Sequence, residues 1–71
     1  MKYAVIYEQD GPNGWSAVVP DLPGCTSAGE TLDDAKKNVQ EAIELYIESL
    51  LEEGAPVPES KTVVGTIELS A

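Results

Sequence analysis

The sequence has 71 residues, with 13 acidic and 4 basic side chains and no histidine, and its formal net charge is −9. A chain of this size can form only one small domain, and its negative charge argues against direct contact with the phosphate backbone of a nucleic acid. Without histidine the chain can hold no Ser–His or Cys–His nucleophile pair, and its single cysteine forms no internal disulfide.

Two short apolar segments near the N-terminus predict a β-hairpin. Residues 2–8 are rich in β-branched and aromatic side chains, with the two tyrosines on one face. Residues 10–14, DGPNG, are of the types that favour turns. Residues 15–19 then predict a second strand. Alternation along it places Trp15, Ala17 and Val19 on the same side.

The next segment, residues 18–34, contains two prolines, two glycines and the only cysteine. Pro20 and Pro23 lack a backbone N–H, so no central strand can run through them. Pro23 and Gly24 suit a tight turn. Residues 25–29 then predict a short third strand at the edge of the sheet.

The start of the helix is the clearest local signal in the sequence. Thr31 is followed three residues later by Asp34, an acidic variant of the capping box. We expect the helix to end near Glu53, with Gly54 as a left-handed cap. The apolar residues that recur at helical spacing are Leu32, Ala35, Val39, Ala42, Ile43, Tyr46 and Leu50.

Two further sets of side chains lie outside this apolar stripe. The predicted solvent face carries Glu41, Glu44, Glu48 and Glu52. Beside the stripe lie three more apolar residues, which make the apolar surface of the helix wider than one face of a sheet can cover. They are Leu45, Ile47 and Leu51. Because so small a domain is marginally stable alone, we expect a homodimer or higher homo-oligomer, formed through this apolar flank or through the open face of the sheet.

After the helix, residues 61–69 predict a last strand with Val63 and Ile67 on one face. The element order is then β-β-β-α-β, an α+β fold. A right-handed crossover through the helix would place the last strand parallel to the first. The prediction is therefore a four-stranded mixed sheet with one helix on one face.

Catalysis is the weaker interpretation of the carboxylates. A minimal metal-dependent nuclease would need acids that converge on one point, with Glu8, Asp10 and Glu68 as candidates. The predicted strand centres carry core residues instead, so we expect no enzyme, metal or cofactor.

Cys25 follows Pro-Gly with no adjacent basic residue, which indicates a buried structural thiol. A third alternative is an oligomeric module that binds a small ligand between subunits.

Several motifs together resemble the HicB-like antitoxin family over nearly the whole chain. The core of the resemblance is PDLPGC at residues 20–25, followed by Gly29-x-Thr31 and Ala35. The remaining matches are Trp15-x-Ala17, Val19, Glu41-Ala42-Ile43 and Pro56-x-Pro58.

The resemblance implies a degenerate ribonuclease-H-like fold without the catalytic acids of that fold. It also implies a partner, a small basic HicA-type toxin that cleaves messenger RNA and that the antitoxin covers and blocks. The negative charge agrees with a basic partner. The candidate partner-binding residues are Trp15, Asp21, Leu22, Pro23, Glu41, Glu44 and Glu48.

Many members of the family carry a further DNA-binding segment, whereas we expect residues 1–71 to form a single domain without a recognition helix or basic arm. We therefore expect no direct DNA binding. No signal peptide or membrane span is evident in the sequence, so the expected location is the cytoplasm.

Overall fold

The computed structural model describes residues 1–70. Three strands precede one long helix, in the order β1 (Ile6–Gln9), β2 (Trp15–Val18), β3 (Thr26–Gly29) and α1 (Leu32–Glu53). Helix α1 lies across one face of the sheet, mainly over β3 and β2. The fold class is α+β, as predicted.

The sheet consists of three antiparallel strands in the order β1-β2-β3. Tyr7 lies opposite Ala17, and Ala17 lies opposite Ser27, which confirms both the hairpin and the edge position of β3. Strand β1 begins four residues later than predicted. Its first residue, Ile6, pairs with Val18 at the end of β2, because Pro20 then interrupts the chain and has no N–H to continue the ladder.

Residues 19–25 close into a compact loop between β2 and β3. Val19 N–H donates to the Cys25 carbonyl at 3.1 Å, and Cys25 N–H donates to the Leu22 carbonyl at 2.9 Å. Gly24 has a φ of 79°, in the left-handed region that favours glycine. The loop turns the Leu22 side chain inward, where it is 0% exposed.

Both predicted ends of α1 are confirmed. Thr31 is the N-cap, and its hydroxyl accepts a hydrogen bond of 3.1 Å from Asp34 N–H. Gly54 ends the helix with a φ of 69°, and its N–H donates to the carbonyl of Leu51. These bonds satisfy backbone groups that an uncapped helix leaves without partners.

The core lies between α1 and the inner face of the sheet. Its fully buried members are Ala17, Val19, Leu22, Cys25 and Val39. Around them pack the partly buried side chains of Tyr3, Val5, Tyr7, Ala42, Ile43, Tyr46 and Ile47. On the opposite face of the sheet the paired Ile6 and Val18 are 40% and 41% exposed, so this face is open.

The predicted fourth strand does not form within the chain. Residues 55–70 contain neither helix nor strand, and the sheet is antiparallel and three-stranded rather than mixed and four-stranded. The composition of residues 61–69 suits a strand, but a strand is stable only when its backbone groups pair with a neighbouring edge. This segment pairs with no strand of the sheet, and its apolar side chains are exposed.

Candidate partner-binding site

An open groove of about 520 Å³ lies between the beginning of β3 and the C-terminal half of α1. The loop and strand side of the groove is formed by Gly24, Cys25 and Thr26. The helix side is formed by residues three or four positions apart, which are Ala42, Leu45, Tyr46, Ser49, Leu50 and Glu53. The groove is therefore mainly apolar, with a carboxylate at its C-terminal end.

Tyr46 fixes the width of this groove. Its ring packs against the core, and its hydroxyl donates to the Pro23 carbonyl at 3.0 Å. The bond connects the helix to a loop 23 positions earlier in the chain. Because both the ring and the hydroxyl have partners, the loop and the helix are held at a fixed separation, and the groove is preformed.

An acidic stripe runs along the solvent face of α1 beside the groove. Its members, all exposed, are Glu41, Glu44, Glu48 and Glu52. Glu44 accepts a hydrogen bond of 3.3 Å from Gln40, one helical turn earlier. Carboxylates this exposed keep most of their hydration, and they attract a cationic surface over a distance set by the salt concentration.

Leu45 lies at the border between the groove and the acidic stripe. It is 58% exposed, and it is three to four residues from Glu41 and Glu48, which makes these side chains neighbours on the helix surface. An apolar side chain between two carboxylates is complementary to a partner surface on which an apolar spot is surrounded by basic side chains. No catalytic group is needed for such binding.

The predicted residues of the β2–β3 loop have different roles in the structure. Leu22 belongs to the core, so its side chain is not available to a partner. Asp21 is engaged within the chain, where its carboxylate accepts hydrogen bonds from Thr62 and Lys61. Pro23 is exposed next to the groove and is the loop residue best placed for contact.

Trp15 lies at the other end of the sheet from this loop. It pairs with Gln9 on one side and Gly29 on the other, and it is half-buried. The four residue-to-residue steps from Trp15 to Val19 span about 13 Å of extended chain. Trp15 is therefore separate from the groove.

The three predicted oligomer residues do not form one patch. At about 100° per residue, Leu45 and Leu51 point about 120° apart around the helix axis. Leu51 is 65% exposed on the flank away from the groove. Ile47 instead packs against the core.

The nuclease alternative finds no support in the part of the chain that the structure describes. Among residues 1–70, no group of three or more potential ligands is placed to hold a metal ion. Glu8 lies in β1, Asp10 in the following turn and Glu68 in the segment beyond the helix.

Burial raises the pKa of the Cys25 thiol, which makes it less reactive. Within residues 1–70 there is also no helix with the length and apolar character needed to span a membrane.

Two contacts that position the site were not predicted from the sequence. Asn38 donates from its side-chain amide to the Ala28 carbonyl at 2.7 Å, which joins α1 to β3. The Asp21 contacts join residues 40 and 41 positions apart. The pairing of an amide or carboxylate with a distant backbone group has no local sequence signal.

Comparison with known proteins agrees with this geometry. A family described as the HicB-like antitoxin of a bacterial toxin–antitoxin system matches residues 3–69. A UPF0150 protein of Synechocystis is 47% identical over 62 residues, which cover 87% of this chain and 78% of that protein.

Two solved structures are also similar. The N-terminal domain of the Burkholderia pseudomallei antitoxin HicB superposes with a TM-score of 0.80 at 38% identity, over 89% of this chain and 74% of that one. A chain of a HicA3 and HicB3 toxin–antitoxin complex superposes with a TM-score of 0.68 at 38% identity, over 84% of this chain and 70% of that one.

Proposed function

The chain belongs to the HicB-like antitoxin family, and on that basis we propose that it binds a small basic HicA-type toxin and blocks access of messenger RNA to the toxin. The observation that carries this proposal is the acidic stripe beside a preformed apolar groove, with Leu45 at their border. A similar domain is present in a HicA3 and HicB3 toxin–antitoxin complex. The action is binding alone, without catalysis by this chain.

The contact would combine two physical effects. The carboxylates of Glu41, Glu44 and Glu48 speed the encounter with a basic surface and set its orientation. The groove and Leu45 then exclude water and supply the apolar contact that holds the complex together. Pro23 would add a contact from a loop that is already rigid, so little conformational entropy is lost. Trp15 would contribute only to a partner that reaches past the groove.

The test is calorimetric titration of the intact chain with a catalytically inactive HicA-type toxin, at roughly 50 and 300 mM salt. We expect a tight one-to-one contact that weakens at the higher salt concentration. The double variant E41Q/E48Q removes two charges from the stripe and should weaken binding about tenfold. Leu45→Ala should have a similar effect and little salt dependence.

The matched control is E30Q/E59Q, which removes two exposed charges outside the stripe. It changes the net charge by the same amount and should leave affinity within about threefold of the parent. Equal losses in the two double variants would mean that only the overall charge matters. Absence of binding at low salt, with both proteins folded, would refute the proposal.

A further inference from the structure

The groove between α1 and the start of β3 is long and narrow. Its helix side runs from Ala42 to Glu53, which at about 1.5 Å per residue is a length of about 16 Å. Its volume of about 520 Å³ divided by that length gives a cross-section of roughly 30 Å². A helix with its side chains is about 10–12 Å across. The groove therefore admits one row of side chains from an occupant that lies over it, rather than a whole helix.

The two long sides of the groove differ in charge. The acidic stripe follows the helix side, next to Leu45, and the last turn of α1 contains no basic residue that would neutralise it. On the other side the wall is formed by Gly24, Cys25 and Thr26, which carry no charge. An occupant therefore meets carboxylates along one flank only, and it meets them at intervals of three or four residues.

The backbone around the groove favours a helix over an extended segment as the occupant. Cys25 already uses both its N–H and its carbonyl within the loop, in bonds with Leu22 and Val19. On the helix side the backbone groups are hydrogen-bonded within α1. An extended segment gains most of its affinity from backbone hydrogen bonds to its receptor, whereas a helix satisfies its own backbone and binds through one row of side chains.

We propose that the occupant of the groove is an amphipathic helix of the toxin, about three turns long, that inserts one row of apolar side chains. Lysine or arginine side chains flank that row on the side that faces the acidic stripe, at the same spacing of three or four residues as the carboxylates. The opposite flank, which faces the uncharged wall, needs no basic residue. This inference rests on the proposed function, since the helix belongs to the toxin, and it adds the part of the toxin that is recognised.

Charge argues against a second copy of this chain as the occupant. The only helix among residues 1–70 is α1, and it carries seven carboxylates against two lysines, a net charge of −5. Placing that helix beside the acidic stripe would bring like charges together over its whole length, which is unfavourable. A basic helix from another protein meets the opposite condition.

The first test fills the groove. Ser49 lies in its lining and is exposed, so Ser49→Trp should occupy the space without disturbing the core. The matched control is Ser60→Trp, which makes the same replacement at an exposed serine outside the groove. In calorimetric titration with a catalytically inactive HicA-type toxin, we expect Ser49→Trp to lower affinity about thirtyfold or more and Ser60→Trp to stay within about threefold of the parent. Circular dichroism checks that both variants fold.

The second test reads the conformation of the occupant. In a complex of the isotope-labelled chain with the unlabelled toxin, filtered nuclear Overhauser spectra should join the methyl groups of Ala42, Leu45 and Leu50 to toxin residues spaced three and four apart. The sequence of the contacted toxin segment should carry lysine or arginine on one flank of that row.

The outcomes separate this inference from the proposed function. Tight binding with contacts to toxin residues spaced two apart would mean an extended occupant, and it would overturn the inference while the proposed function stands. So would binding in which Ser49→Trp behaves like Ser60→Trp, or a contacted helix without basic residues on the flank that faces the stripe. Failure of the parent chain to bind at all would refute the proposed function, and the inference would fall with it.

Discussion

The Asp21 carboxylate accepts two backbone hydrogen bonds and one hydroxyl hydrogen bond from Thr62 and its neighbour Lys61, across 40 and 41 positions of sequence. Replacing the charged acceptor in Asp21→Asn should loosen this anchor while leaving the core intact. We expect several-fold faster amide hydrogen exchange at Lys61 and Thr62, since hydrogen bonds to a charged acceptor are stronger than those to a neutral one. Glu59→Gln, a nearby exposed acid, is the control, and equal exchange rates in both variants would contradict the assignment.

The same anchor should respond to acid. The backbone N–H of Thr62 lowers the pKa of the Asp21 carboxyl below its ordinary value of 3.8, and the Thr62 hydroxyl and Lys61 N–H act in the same direction. A lowered pKa in the folded state contributes stability above the unfolded pKa, and that contribution is lost as pH falls through the folded pKa. The Thr62 amide resonance should therefore be constant near neutral pH and shift in acid with a midpoint below pH 3.8. A midpoint at or above that value would contradict the prediction.

Leu22 and Leu45 should behave in opposite ways when truncated. Leu22 is 0% exposed in the core, so Leu22→Ala should lower the free energy of unfolding by about 2–5 kcal/mol. Leu45 is 58% exposed at the border of the groove, and Leu45→Ala should lower it by less than about 1 kcal/mol. Urea denaturation measures both. A mild effect at Leu22 would mean that the loop can open and offer this side chain to a partner.

Gly29 should not accept a side chain. A Cβ at this position would lie 2.5 Å from Ala35 N and 2.8 Å from the Asp34 backbone, where α1 crosses β3. Because backbone atoms cannot move aside without shifting the helix, Gly29→Ala should cost about 1–3 kcal/mol in thermal or urea unfolding. Gly65→Ala is the matched control, with no atom within 4 Å of the added carbon. A neutral result at Gly29 would show that the helix can move away from the strand.

Cys25 should react slowly with thiol reagents. The side chain is 4% exposed, and burial raises the pKa of the thiol, so little thiolate is present or accessible at neutral pH. Labelling by a maleimide should follow the opening of the core, and it should accelerate in Leu22→Ala, whose truncated side chain lies in the same cluster. Immediate and complete labelling of the folded parent chain would contradict a structural role for this cysteine.

The parts of the fold that could be predicted were those determined by near neighbours in sequence. Thr31 and Asp34 are three residues apart, and Gly54 caps the turn that immediately precedes it, so the bounds of α1 are evident from local chemistry. The hairpin follows in the same way from two apolar segments and the turn between them. The acidic solvent face also follows from helical spacing alone, because Glu41, Glu44 and Glu48 recur every three or four residues.

Contacts between distant residues decided the rest. Leu22, between an aspartate and a proline in a turn, has the sequence of an exposed loop tip, and only closure of residues 19–25 turns it inward. The groove lies between α1 and the start of β3, and Tyr46 ties α1 to Pro23, 23 positions away, at one of its walls.

The same reason explains the error at residues 61–69. The sequence by itself determined that this segment favours an extended, one-sided strand, since alternation is a local property of the side chains. Whether a strand forms depends on a partner edge, which is supplied by another part of the molecule or by another molecule. Only the tertiary structure decided that this chain holds the segment at Asp21 and leaves it unpaired with its own sheet.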